Sequence, residues 1–132
     1  MSDEANDVEF LRSGAVAPAE LPFSDGVRVG NLVMLSGQLG NVPGTMQLVP
    51  GGIEAETRQT FENIRRTLEA HGLSLRDVVR VQVMLADIAD WPRFNEIYRE
   101  YFSEPFPARS AFAANGLALG ARVEVEAFAV KR

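Results

Sequence analysis

The sequence predicts an α+β fold: a six-stranded mixed sheet with two helices packed on one of its faces. Three observations lead there. Two stretches place apolar residues at helical spacing, six shorter runs read as strands, and their order, β-β-β-α-β-α-β-β, groups strands rather than alternating them strictly with helices. The 132 residues, 46% hydrophobic and 23% charged, suit one domain with a single core. That domain is expected to span residues 8–132, after an acidic tail over residues 1–7.

Val8–Arg12 reads as a short edge strand, followed by a loop that contains Pro18 and Pro22. Val27-Arg28-Val29 and Leu32–Ser36 flank Gly30-Asn31, a two-residue hairpin signal. Next comes a loop punctuated by Gly40, Pro43, Gly44, Pro50, Gly51 and Gly52, of a kind that often walls a site. The first helix is expected from Ile53 to His71. Ile53, Thr57, Phe61, Ile64 and Leu68 line its inner stripe, Glu54 and Glu56 sit near its positive end, and Gly72 stops it. Val79, Val81, Val83 and Leu85 then alternate with Arg80 and Gln82, the period of a strand with one buried face.

The second helix is expected to begin at an Asp90 N-cap with Pro92 in its first turn. It presents Phe94, Ile97, Tyr98, Tyr101 and Phe102 as a wide aromatic face before Pro105. Ser110–Ala114 makes a further strand. In the last one, Val123, Val125, Ala127 and Ala129 face one way and Arg122, Glu124, Glu126, Phe128 and Val130 the other. Two helices cover only one side of such a sheet, yet residues such as Met34 and Met84 are apolar opposite Val33, Leu35 and Val83. A homo-oligomer that buries the second face is therefore expected.

Composition excludes several function classes. The net charge is −5, and Asp3, Glu4, Asp7 and Glu9 carry most of it. The remainder is close to neutral and has no basic stripe, so nucleic acid is not an expected partner. No apolar run is long enough for a transmembrane helix, and the acidic start lacks a signal peptide's apolar stretch, so a cytoplasmic location is expected. With no cysteine and one histidine, neither a thiolate nor a metal centre is expected. His71, at a helix end, reads as structural, and Glu96, Glu100 and Glu104 as a solvated flank.

Two segments remain. Arg109 follows a Pro-rich turn (Pro105, Pro107), and its guanidinium fork suits a carboxylate held at two points. Glu124 and Glu126 form an acidic pair on the polar side of an apolar strand, where a half-buried carboxylate is a candidate general base. Spacing alone leaves a structural Arg109–Glu124 ion pair equally open.

Pro107-Ala108-Arg109-Ser110, Gly116-Leu117 and Val123-Glu124-Val125-Glu126-Ala127 resemble the signature of the RidA/YjgF family of reactive-intermediate deaminases. The resemblance extends through Ser36-Gly37-Gln38, Thr57-Arg58-Gln59, Glu62-Asn63 and Phe94-Asn95 with Tyr98, over about residues 10–131. It implies a chorismate-mutase-like homotrimer with sites between subunits, and hydrolysis of 2-imino acids and their enamines, such as 2-aminoacrylate, to 2-keto acids and ammonium. Neither metal nor organic cofactor is implied. Arg109 would clamp the substrate carboxylate and Glu124 would position or deprotonate the attacking water. Ser36, Gly37 and Asn95 would line the pocket. Two positions depart from the family pattern. Phe23 stands where a tyrosine is common, and Ala111 where a cysteine is common, so a larger or more apolar substrate is expected. The alternative is a non-catalytic binder of small 2-keto carboxylates, and a nuclease ranks third. Arg109 and Glu124 are expected to converge on one crevice where chains meet.

Overall fold

The computed structural model of the chain describes residues 7–132. Its elements are β1 (Val8–Leu11), β2 (Gly26–Val29), β3 (Leu32–Leu35), α1 (Gly52–Ala70), β4 (Val78–Leu85), α2 (Trp91–Tyr101), β5 (Ala108–Ala113) and β6 (Val123–Val130). The expected element order is present, and the six strands join one sheet in the order β1-β2-β3-β6-β4-β5. Only β4 and β5 run parallel, joined by α2 as the crossover; the other neighbours are antiparallel. Of the expected tail, only Asp7 lies among the described residues, and its carbonyl accepts the Gly30 N–H at 3.1 Å.

Period-two alternation gives the sheet two different faces. Val33, Leu35, Val81, Val83, Leu85, Val123, Val125, Ala127 and Ala129 are buried beneath Phe61, Ile64 and Leu68 of α1 and Phe94 and Tyr98 of α2. Phe61 anchors the helix layer, with ring centroids 5.8 Å from Phe94, 5.9 Å from Tyr98 and 5.1 Å from Tyr101. Fully burying each such side chain contributes roughly 1.5–3 kcal/mol.

No element among the described residues covers the other face. Cross-strand partners there are Val8 with Val29, Phe10 with Val27, and Met34 with Phe128, an apolar half on which Phe10 is 71% exposed. Towards β4 and β5 the same face turns polar: Gln82 pairs with Glu126, Met84 with Glu124, and Arg80 donates to Ser110 Oγ at 3.1 Å.

Three local expectations need correcting. Val79 does not share the inner face, because the β4–β6 register slips between Val78 and Arg80; Val78 turns inward and Val79 is left exposed. Asp90 precedes α2 without making a side-chain cap. A short 3₁₀ turn, Ile88–Asp90, leads into the helix instead, capped by Asp87, which accepts the Ala89 N–H at 2.9 Å. The strand after α2 begins at Ala108 and so includes Arg109.

The glycine-rich loop before α1 is tied down. Asn63, fully buried in α1, donates from Nδ2 to the carbonyls of Leu39 and Asn41, both at 2.9 Å. Asn41 in turn donates to Thr45 O at 3.0 Å. Gly40 packs so closely that a Cβ there would come within 2.6 Å of Glu56 O. Asn63→Ala leaves both carbonyls without their donor and should cost about 2–3 kcal/mol. The expected result is a lower midpoint in urea unfolding at an unchanged slope.

Candidate functional site

The sheet sorts the candidate residues into two groups. The first forms where β3 ends against β6. Ser36 donates its N–H to Asp25 O at 2.9 Å and its hydroxyl to Ser24 O at 2.7 Å. Gln38 and Val125 exchange backbone hydrogen bonds of 2.8 and 3.0 Å, which sets Gly37 beside Glu124. A Cβ at Gly37 would fall directly on Glu124 Oε2. Ser36's hydrogen-bond donors are therefore spent on the fold, whereas the Gly37 backbone makes no hydrogen bond to any described residue.

Glu124 is half-buried. Burial pushes its carboxyl above the usual range, and the like charge of Glu126 pushes it further. Such a carboxylate is a stronger base than an exposed one. Phe23, next to Ser24, is exposed beside a shallow cavity of about 210 Å³ that Pro18 and Asp25 also line.

The second group is on α2 and β5. Arg109 lies in register with Val81, so its side chain is on the helix-covered face at the sheet edge. Its guanidinium carbon stands 4.7 Å from the Tyr98 ring centroid, 5.8 Å from Trp91 and 5.9 Å from Phe94. It makes no hydrogen bond or ion pair with any described residue. Asn95, Tyr98, Arg99, Phe106 and Pro107 join it around a cavity of about 250 Å³. Asn95 Oδ1 and the Tyr98 hydroxyl are buried without a hydrogen-bond partner among the described residues. Ala111 shares the face of Arg109 but packs against the core and does not line that cavity.

Within one chain, then, Arg109 and Glu124 do not converge. Arg109 faces the helices, while Glu124, in register with Met84, faces the uncovered side. The expected single crevice is absent from the lone chain, and so is the Arg109–Glu124 ion pair. The cause is geometric: neighbouring strands in register present partnered residues to the same side, and the two residues pair with opposite-facing positions of β4. The aromatic wall around Arg109 was missed because Phe94 and Tyr98 read simply as core. The signal was available in the crossover: a helix joining two parallel strands lies across the sheet edge that β5 forms.

The remaining polar groups serve the fold. His71 Nε2 lies 2.9 Å from Asp25 Oδ2, and the same oxygen accepts Ser13 Oγ–H at 2.6 Å. The carboxylate, not the imidazole, is central, so the serine is not activated, and the group pins the loop that carries Phe23. Sequence alone did not show this partner. Glu100 pairs with Arg58, and Glu96 with Arg93, on an exposed helix flank. Among the described residues no cluster suits a metal ion.

Against known proteins, the family model described as Endoribonuclease L-PSP matches residues 14–131, and the chain belongs to that family, RidA/YjgF. A 2-iminobutanoate/2-iminopropanoate deaminase of Bos taurus is 45% identical over 125 residues, 94% of this chain and 91% of the relative. The crystal structure of RidA from Psychrobacter sp. PAMC 21119 is 40% identical, with TM-score 0.87, over 93% of this chain and 99% of that one. A putative endoribonuclease from Thermotoga maritima is also 40% identical, with TM-score 0.87, over 94% and 98% of the two chains.

Two outcomes follow from the Glu124 environment. Gly37→Ala displaces a flexible carboxylate rather than backbone, so thermal stability should stay near wild type while turnover falls; equal turnover would show that Glu124 needs no fixed place. Glu126→Gln removes the like charge that holds Glu124 high. The acidic limb of the kcat/KM profile should therefore move to lower pH, because Glu124 then ionises earlier.

Proposed function

We propose that the chain is a hydrolytic deaminase of 2-imino acids and their enamine tautomers, releasing 2-keto acids and ammonium. The observation that carries this reading is Arg109: a guanidinium that no described residue pairs, in a small, aromatic-walled cavity beside the buried Asn95 Oδ1. A half-buried cation with no counter-ion is a receptor for an anion, and its fork matches a carboxylate. The deaminase relatives, alike over nine-tenths of the chain, support the same chemistry.

In this reading the working unit is a chorismate-mutase-like homotrimer in the cytoplasm, with no nucleic acid or membrane partner. The uncovered sheet face of one copy carries Glu124 and Gly37, and packs where a second copy presents its β5 edge with Arg109 and Asn95. Arg109 holds the carboxylate. Glu124 takes a proton as a water oxygen bonds to the imine carbon and the C=N electron pair moves to nitrogen. The nitrogen of the tetrahedral adduct then takes up the proton that Glu124 removed and a second one as the adduct's hydroxyl is deprotonated, so ammonia leaves as the carbonyl forms and is protonated by solvent to ammonium. Fixing water and substrate together supplies several kcal/mol, enough for a bond that already hydrolyses in water. Phe23, beside Ser24, adds no polar group, which favours an apolar substrate side chain.

The same lack of a hydroxyl at Phe23 favours the second reading, a non-catalytic binder of 2-keto acids. A nuclease fits less well despite the family's description, since the sequence has no basic stripe and its one histidine is held by Asp25.

Arg109→Ala should cost about 2–4 kcal/mol of transition-state binding, roughly a 30- to 900-fold loss in kcat/KM. A coupled assay that traps 2-aminoacrylate with semicarbazide measures it. Equal rates for wild type and variant contradict the deaminase reading, and saturable 2-keto acid binding without turnover establishes the binder. Light scattering after size exclusion should report a trimer, and a monomer at micromolar concentration contradicts the shared site.

A further inference from the structure

Arg109 raises a question that its charge alone does not answer. A long side chain with free rotamers must present its fork in one direction, yet no hydrogen bond or ion pair among the described residues holds it. Ordering such a side chain on binding normally weakens affinity. What the guanidinium does have is ring faces, and the nearest by more than 1 Å is Tyr98, at 4.7 Å against 5.8 and 5.9 Å for Trp91 and Phe94.

Tyr98 is itself held firmly. Only 5% exposed, it packs between Phe61, Phe94, Phe102 and Phe106, with centroids at 5.9, 6.0, 4.9 and 6.4 Å. Its hydroxyl has no partner among the described residues, so ring packing holds it in place. A cation over a desolvated aromatic face is stabilised by the ring quadrupole, and a planar guanidinium also stacks on it.

We propose that Tyr98 is a positioning residue for the reaction: its ring face is the platform that aims the Arg109 fork into the cavity before the carboxylate arrives. The inference rests on the carboxylate role of Arg109 proposed above. The platform acts on carboxylate binding in the ground state and transition state alike, so its loss raises KM and leaves kcat in place.

The test compares Tyr98→Phe and Tyr98→Leu in the full chain. Steady-state kinetics on a trapped 2-imino acid are combined with competition by 2-oxobutanoate. Tyr98→Phe keeps the face and should stay within about twofold of wild type in both constants. Tyr98→Leu should raise KM and the 2-oxobutanoate inhibition constant by about three- to thirtyfold with kcat retained. Trp91→Leu, at the edge of the core, offers a second variant if Tyr98→Leu does not fold, with a smaller rise of the same kind.

Folded Tyr98→Leu with wild-type KM overturns the platform, as does a loss confined to kcat. Tyr98→Phe impaired as severely as Tyr98→Leu also overturns it, because the hydroxyl would then be the group that matters. If wild type has no deaminase activity, or Arg109→Ala matches wild type, the underlying function fails instead, so the two failures are distinguishable.

Discussion

The pleat of β4 governs everything else in this molecule. Arg109 reaches it through β5, in register with Val81, and Glu124 through β6, in register with Met84. Val81 and Met84 lie an odd number of residues apart, so a guanidinium and a carboxylate on nearby strands end up on opposite sides of the sheet. No side-chain rotation brings them together through a packed core. A fold that uses both for one reaction has to bring the second from another copy.

The uncovered face is suited to that. Its β1–β2–β3 half is apolar, with Phe10, Val27, Met34 and Phe128 side by side, and a monomer seldom leaves so much apolar surface exposed. Where β6 meets β4 it carries Glu124, Glu126 and Gln82, which makes that part costly to bury without polar partners. One part of the face favours association through hydrophobic burial, and the other is charged. The raised pKa of Glu124 belongs to the same economy: the partial burial that strengthens it as a base also makes its ionised form less favourable.

Much of the fold was legible because long elements repeat their signal. Helix α1 was placed to within about a residue at each end, and the alternation of β6 identified its inner face from Val123 to Ala129. What escaped depended on single residues or on tertiary neighbours. One bulge inverted Val79, a 3₁₀ turn took the cap from Asp90, and Asp25, distant in sequence, claimed His71. The sequence nominates candidate residues one by one, but not their geometry. Motif order identifies Arg109 and Glu124, whereas their sidedness depends on register with β4, which no local pattern encodes.

Complementation between two variants tests the shared site most directly. Arg109→Ala and Glu124→Ala are each expected to be strongly impaired alone. Unfolded together and refolded as mixed oligomers, they should regain substantial deaminase activity, because some interfaces then pair an intact Arg109 with an intact Glu124 from the neighbouring copy. Mixed oligomers that form and remain as impaired as either parent would contradict a site built between chains.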